Sequence, residues 1–329
     1  MPEGDRASAM GAWAGFLMLG FSVGPLLGGA LTHSVGWPAI FWCDGLAMLA
    51  AAGGLLMARP AAGGGVARAA DVLRAFDWGG VLLLATAMVS VVLALHGLAA
   101  AGSAPLAFLG ALALAGAAVA LFVRTERHRR DPLVDLGLLG SPAFLRAVAT
   151  GSIAMFCILP LLLYFNLDVQ GAGGFSLSAV GAGLLLLPMS AGLLACALLA
   201  PRLVLRFGPR AAVTGAMLLI LGACAAIAAA AAGGALLPLA GGLFAVGAGL
   251  ALPYATAPRL ALAALPRDRA GQGSGVVNAC TFLGGSVGVT GGAMAYGLGG
   301  LPAVMALLAA AALLGVLVGR RLPGGAARG

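Results

Sequence analysis

Residues 201–210, PRLVLRFGPR, are followed by residues 211–232, AAVTGAMLLILGACAAIAAAAA. The second stretch carries no charged side chain. It is long enough to cross a bilayer, because a helix rises about 1.5 Å per residue and the hydrocarbon core is about 30 Å thick. The first stretch places three arginines immediately before it. Together they predict a basic loop followed by a membrane-spanning helix.

Similar apolar runs recur along the chain, which is 62% hydrophobic and only 9% charged. A soluble domain needs many more charged residues on its surface, so this composition excludes one. We predict an all-α polytopic membrane protein of about ten transmembrane helices, with the lipid bilayer as its solvent. The predicted spans cover residues 11–32, 37–57, 78–97, 104–123, 144–165, 178–200, 211–232, 236–257, 272–297 and 301–319.

All 18 basic residues are arginines. Seventeen fall in alternate loops between these spans or in the terminal segments, and Arg146 is the third residue of the span 144–165, next to one of the same loops. Arginines in short loops stay on the cytoplasmic side, so we predict that both termini face the cytoplasm and that the protein lies in the plasma (inner) membrane. The net charge of +8 does not indicate nucleic-acid binding, because the arginines form no long basic tract.

No motif in the sequence predicts catalysis, a metal or a cofactor. The five cysteines stand singly in apolar runs, without the close spacing that metal or redox sites use. The glycine-rich stretches lie within apolar helices rather than after strands, which argues against nucleotide binding. We therefore expect a protein that is not an enzyme.

The first span carries an ordered glycine pattern, Gly20-x-x-x-Gly24-Pro25-x-x-Gly28-Gly29. Gly20, Gly24 and Gly28 are four residues apart and form one smooth stripe, while Pro25 removes a backbone hydrogen bond and bends the helix. The alternative interpretation is that these glycines form only a small-residue packing surface between helices. However, the complete pattern, with Gly24-Pro25 and Gly28-Gly29 at these positions, resembles the antiporter motif on the fifth helix of drug:proton exporters of the major facilitator superfamily.

An internal repeat is consistent with that resemblance. Asp5-Arg6-Ala7 precedes the glycine pattern, and Asp268-Arg269-Ala270 precedes a second one, Gly284-Gly285-Ser286-Val287-Gly288. Both copies begin on the predicted cytoplasmic side, as a parallel repeat about an axis along the membrane normal requires.

Further segments resemble the fourteen-helix members of this family. Residues 37–46 are similar to the start of the sixth helix, and residues 77–78 and 127–145 to the two inserted helices and the loop after them. The resemblance implies three parts: 1–57, the fifth and sixth helices; 58–143, the linking region with two inserted helices; and 144–329, a carboxy-terminal six-helix bundle. It begins at the fifth helix, so we expect the first four to be absent from this sequence.

The predicted loop of residues 201–210 resembles a weak copy of the family's cytoplasmic gating motif, at Arg206, Gly208 and Arg210. Pro201 stands where the family has glycine and Leu205 where it has aspartate, which puts a charge-paired latch in doubt.

Asp44 is the one acid that we place well inside a predicted span, about 10 Å deep by the helical rise. A carboxylate at that depth usually faces a cavity or a partner, so Asp44 is our proton-coupling candidate. The alternative is a hydrated acid near the outer mouth. Cavity lining or interhelical hydrogen bonding explains the polar side chains of the carboxy-terminal spans equally well. These cavity candidates are Tyr164, Asn166, Tyr254 and Asn278.

The resemblance implies a secondary active transporter that exports drugs or other small hydrophobic, often cationic, compounds in exchange for protons. Alternating access needs two helix bundles, so we expect this chain alone to be inactive or poorly active. The alternative is a non-transporting membrane remnant, or one piece of a split transporter whose partner polypeptide supplies the missing helices.

Overall fold

Helices make up almost all of the residues that the computed structural model describes, which are 20, 23–24, 26–57, 77–99, 105–129, 136–171, 175–266 and 269–323. These residues contain no strand, so the all-α prediction is confirmed for them. The helices in chain order are α1 (26–34), α2 (Pro38–Met57), α3 (Trp78–Ala99), α4 (Pro105–His128), α5 (Pro142–Gln170), α6 (Ala179–Leu185), α7 (Leu187–Ala232), α8 (Leu236–Ala263) and α9 (Ala270–Gly319).

Two of these helices are hairpins rather than single rods. A straight α7 of 46 residues or α9 of 50 residues would be about twice as long as the hydrocarbon core is thick. Each leaves helical geometry near its middle, α7 at Gly208 (φ 77°, ψ 158°) and α9 at Gly299 and Gly300 (φ 62°, ψ −153° at Gly300). A proline follows each break, where its fixed φ starts a new helix. Each hairpin therefore supplies two of the predicted spans.

Six helical segments of the described residues are long and apolar enough, by length and composition, to cross a membrane. Two of the six contain the hairpins, and α3 adds a shorter apolar helix, Trp78–Ala94. Every predicted span overlaps a helix, although 11–32 is described only in part. The protein is a multi-pass membrane protein.

Several boundaries differ from the predictions. Helices α4 and α8 continue to His128 and Ala263 rather than ending near 123 and 257. Helix α5 continues to Gln170 rather than ending near 165, because its last turn stays polar on one face and still closes its backbone hydrogen bonds. The predicted loop 201–210 is helical except at Gly208. The predicted span 178–200 is interrupted at Leu186, because Pro188 has no amide hydrogen to continue the hydrogen-bond ladder.

The core lies between α5, α7, α8 and α9, in the part of the chain that the sequence assigned to the carboxy-terminal bundle. Its buried side chains come from all four helices, and glycines bring the backbones close together. At Gly247 of α8 an added Cβ would overlap the carbonyl oxygen of Met189 in α7. Helix α2, in contrast, buries none of its residues within the described chain.

Helices α3 and α4 form a separate hairpin, of which α3 packs against α9. Asp77 caps α3 by accepting a hydrogen bond from the Gly80 amide at 2.8 Å, and it forms an ion pair with Arg129 beyond the end of α4. The Gly80 amide, together with the Arg129 guanidinium, lowers the pKa of the Asp77 carboxyl below its ordinary value. The cap and the ion pair hold the predicted cytoplasmic base of the hairpin together.

Candidate transport site

The glycine pattern of the first span packs against the carboxy-terminal bundle through Gly29. A Cβ added there would lie 2.7 Å from the carbonyl oxygen of Ala179, the first residue of α6. No side chain fits at that distance, so only glycine allows α1 and the start of α6 to touch backbone to backbone. The contact joins the amino-terminal part of the chain to the bundle.

The other glycines of the motif make no such backbone contact with a described residue. Gly28 faces only the side chain of Ile40, at 3.9 Å, and Gly20 and Gly24 have no described neighbour within 4 Å. Pro25 lies outside the described residues, as do Asp5 to Ala7 and Asp268 of the repeat. Helix α6 thus contacts the pattern at Gly29, beside the stripe of Gly20, Gly24 and Gly28, and the role of the stripe in gating stays a prediction.

The second copy of the pattern packs inside the bundle. Added Cβ atoms would lie 2.5 Å from the carbonyl oxygen of Ser152 at Gly284 and would overlap that of Phe156 at Gly288. One turn later, Gly292 lies against the ring of Tyr164. Three glycines four residues apart thus hold the first half of α9 against α5 along three helical turns.

Asp44 lies on the exposed face of α2, where no described helix covers it. The structure therefore supplies no partner or enclosing cavity for it within the described residues, and its part in proton coupling remains a prediction. The neighbouring large side chains, such as Leu46 and Met48, are equally exposed, at 67% and 75%. This face is where a lipid or another helix would lie.

Tyr164 is buried between α5 and α9. Its hydroxyl donates to the carbonyl oxygen of Val289 at 2.8 Å, and its ring stacks on Tyr296 with centroids 5.5 Å apart. Tyr296 in turn donates from its hydroxyl to the Asp168 carboxylate at 3.3 Å. Neither Asp168 nor Tyr296 is among the residues predicted from the sequence, although the four-residue spacing of Tyr164 and Asp168 places both on one helix face.

Asn166 lies on a different face of the same helix. It lines a surface depression of about 340 Å³ together with Leu163, Leu167, Gln170 and Gly171. Its side-chain amide donates to the carbonyl oxygen of Leu162 at 3.0 Å and accepts from Gln170 at 3.2 Å. Interhelical hydrogen bonding is not seen here, since both partners belong to α5.

The remaining cavity candidates lie elsewhere in the bundle. Tyr254 is half-buried on α8 against Leu193 and Ala251, and Asn278 is exposed on the first arm of α9. Tyr254 also packs against the main hydrophobic core, to which Tyr164 belongs. The role of the four candidates in lining a transport cavity stays a prediction.

The cytoplasmic motif residues surround the reversal in α7. Arg206 and Arg210 are exposed, and the Arg206 guanidinium lies 5.4 Å from the ring of its neighbour Phe207. Gly208 is buried and has the positive φ that lets the chain turn back. A cation–π contact within one turn does not make a latch, so the conformation of Gly208 is the clearest role that this segment has.

Replacing Gly208 with alanine is expected to destabilise the bundle by on the order of 1–3 kcal/mol, because its backbone conformation is one that essentially only glycine adopts. Thermal unfolding of the purified protein measures the effect as a lower midpoint. Gly215→Ala is the matched control, since Gly215 lies in the same helix with no neighbour within 4 Å. An unchanged midpoint for Gly208→Ala would mean that the turn tolerates a side chain.

Comparisons with known proteins agree with this architecture. The family model of the Major Facilitator Superfamily matches residues 1–289. The multidrug resistance protein Stp of Mycobacterium tuberculosis is 30% identical over 285 residues, which cover 86% of this chain and 51% of that protein. The drug efflux pump JefA of the same organism is 29% identical over 289 residues, covering 86% and 54% respectively.

A third relative is the tetracenomycin C resistance and export protein of Streptomyces glaucescens. It is 31% identical over 221 residues, which cover 66% of this chain and 39% of that protein. The chain thus spans about half the length of the curated relatives it matches. Since the family model covers most of the chain, and the all-helical structure agrees with it, the chain belongs to the major facilitator superfamily.

Proposed function

We propose that this chain forms part of a secondary active transporter that exports drugs or other small hydrophobic, often cationic, compounds in exchange for protons. The observation that carries the proposal is the backbone contact between Gly29 and Ala179. This is one contact among the described residues, whereas Gly284, Gly288 and Gly292 make three between α5 and α9. Helices α1 and α6 can therefore separate and close again at a lower cost, as a gate must. The three relatives named above, each a drug resistance or export protein, support the substrate class.

In this proposal, the parts 1–57, 58–143 and 144–329 are the motif-bearing helices, the linking region and the carboxy-terminal bundle. Export proceeds by rocking of two bundles about a site near the middle of the membrane. The bundle's described arginines support an orientation with both termini in the cytoplasm. They lie near one end of α5, α8 and α9 and around the reversal of α7, all on the side that the predicted topology assigns to the cytoplasm. Asp44 is the proposed proton-coupling group of the amino-terminal part.

Efflux of ethidium from cells that lack their own main drug exporters tests the function. We expect strong efflux when residues 1–329 follow the first four helices of a relative in one open frame, and we expect a protonophore to abolish it. Residues 1–329 alone should export poorly, because alternating access needs two bundles to enclose the site. The amount of each protein in the membrane is measured so that rates are compared per molecule.

Each outcome decides something. A completed chain that reaches the membrane yet exports no faster than empty cells would count against drug export. Efflux that survives the protonophore would count against proton coupling. Robust efflux by residues 1–329 alone would show that the two-bundle requirement is wrong. Export restored only by co-expressing the four helices as a separate chain would favour the split transporter.

A further inference from the structure

The second arm of α9, residues 301–319, has one face packed in the bundle and one face exposed. On the packed face, Gly315 lies against Met217 of α7. One turn later, Gly319 lies against Thr214 of the same helix. The opposite face carries large apolar side chains that are 51%, 59% and 51% exposed, those of Leu313, Leu314 and Leu317. We call these three residues the leucine face.

The leucine face ends at a group of arginines. Arg320 and Arg321 directly follow α9, and both are exposed. Arg320 keeps helical geometry (φ −60°, ψ −21°), so it lies on the same face as Leu317 three residues earlier. Arg146, near the start of α5, reaches the same point, because its guanidinium donates to the Arg321 carbonyl at 2.9 Å. We call Arg146, Arg320 and Arg321 the arginine cluster.

No described carboxylate of the bundle neutralises the arginine cluster. Asp168 is the one described acid in residues 136–323, and it lies about 33 Å from Arg146 by the helical rise of α5. In the neighbouring hairpin, Asp77 forms its ion pair with Arg129. The carboxyl end of α9 supplies only about half a negative charge, against three positive ones. The cluster therefore keeps most of its positive charge and is suited to an anionic ligand.

The position of the cluster indicates which kind of anion it binds. Helix α9 is long and apolar enough to cross a membrane, so its last turn lies where hydrocarbon gives way to lipid headgroups. Guanidinium groups bind phosphate oxygens through paired hydrogen bonds. The distance from Arg320 back to Leu313 is about 10 Å by the helical rise, within the hydrocarbon depth of one leaflet, about 15 Å. An acyl chain that leaves a phosphate at the cluster would therefore run along the leucine face.

We propose that the arginine cluster binds the phosphate headgroup of an anionic phospholipid, and that an acyl chain of this lipid lies along the leucine face. Arg320 and Arg321 bind the phosphate, while Arg146 adds positive charge and holds the end of α9 in place. The bound lipid bridges the first and last helices of the bundle. This inference goes beyond the proposed export function and does not rest on it.

Native mass spectrometry of the purified chain in detergent tests the proposal. The anionic lipid is phosphatidylglycerol, and the neutral one is phosphatidylcholine with the same acyl chains. We expect the unchanged protein to bind phosphatidylglycerol at least tenfold more tightly than phosphatidylcholine. Arg320→Gln with Arg321→Gln should weaken phosphatidylglycerol binding at least tenfold and leave phosphatidylcholine binding within twofold, because only charge is lost. Arg320→Lys with Arg321→Lys keeps the charge and should weaken binding by a smaller factor, about three.

The matched control is Arg202→Gln with Arg259→Gln. It removes two exposed arginines of α7 and α8 on the side of the membrane that the predicted topology assigns to the cluster as well. Its phosphatidylglycerol binding should stay within twofold of that of the unchanged protein. Equal weakening by the two glutamine double variants would show that the lipid responds to the total charge of this side, and would refute the site. Equal affinity of the unchanged protein for the two lipids would refute it too.

A second measurement needs no variant. Phosphatidylglycerol should raise the thermal unfolding midpoint of the unchanged protein by about 3 °C or more, because a ligand of the folded state stabilises it by mass action. Phosphatidylcholine should not. Glycerol phosphate, which has the phosphate but no acyl chains, should leave the midpoint unchanged at the same concentration. An equal rise with glycerol phosphate would assign the cluster to a free phosphate and overturn the lipid proposal, and no rise with phosphatidylglycerol would contradict it.

Discussion

Replacing Gly284 and Gly288 together with alanine is expected to unfold much of the carboxy-terminal bundle. The two new methyl groups would meet the backbone carbonyls of Ser152 and Phe156, which cannot move aside as a flexible side chain could. Overpacking of this kind costs about 1–3 kcal/mol per site. Two sites one turn apart would thus remove a large share of a folding free energy of roughly 5–15 kcal/mol.

Thermal unfolding and size-exclusion chromatography in detergent measure this effect, as a lower midpoint and a smaller monodisperse fraction. The control pair is Gly275→Ala with Gly297→Ala, on the same helix, where neither glycine has a neighbour within 4 Å. Alanine is the better helix former, so the control should be neutral or slightly stabilising. Equal midpoints for the two double variants would show that α5 and α9 are not in backbone contact.

Replacing Gly29 with alanine is expected to separate α1 from the start of α6 while the bundle itself stays folded. The new methyl group would lie 2.7 Å from the Ala179 carbonyl oxygen, about 0.7 Å closer than ordinary contact allows. Helix α6 has only seven residues, so it depends on its neighbours for stability. Hydrogen exchange in residues 176–186 should become at least tenfold faster, with an unchanged unfolding midpoint for the bundle.

Gly28→Ala is the matched control for this exchange experiment, because it adds the same atom one residue earlier, where only Ile40 lies nearby at 3.9 Å. Its exchange in residues 176–186 should equal that of the unchanged protein. If both variants exchange alike, the contact at Ala179 does not hold α6. In a transport-competent chain, loss of efflux by Gly29→Ala would then connect this contact to gating.

Much of the fold follows from the sequence, because hydropathy and helical rise alone decide that a long uncharged run crosses a bilayer as a helix. The run 211–232 is an example, and the structure has it as the second half of α7. Helix ends are harder to predict, since they depend on local caps. Helix α5 continues past its predicted end at residue 165. Asp168, which the prediction placed in a loop, therefore lies in the last turn of this helix.

The candidate site was less predictable. Spacing identifies which glycines share a face, but not which helix they meet, and the same pattern touches α6 at Gly29 and α5 at Gly288. Tyr164 was selected for its polarity, yet its partners come from a helix more than 120 residues further along the chain. Such pairings depend on tertiary packing, so periodicity within one helix cannot reveal them.

The reversal at Gly208 has a mechanical consequence. A single non-helical residue, Gly208, connects the two arms of α7. So short a connection does not allow the arms to slide past each other or to separate at this end. Arg146, anchored to the Arg321 carbonyl, joins the first and last helical arms of the bundle at the same end. The end of these helices that the predicted topology assigns to the cytoplasm should therefore tilt as one stiff block.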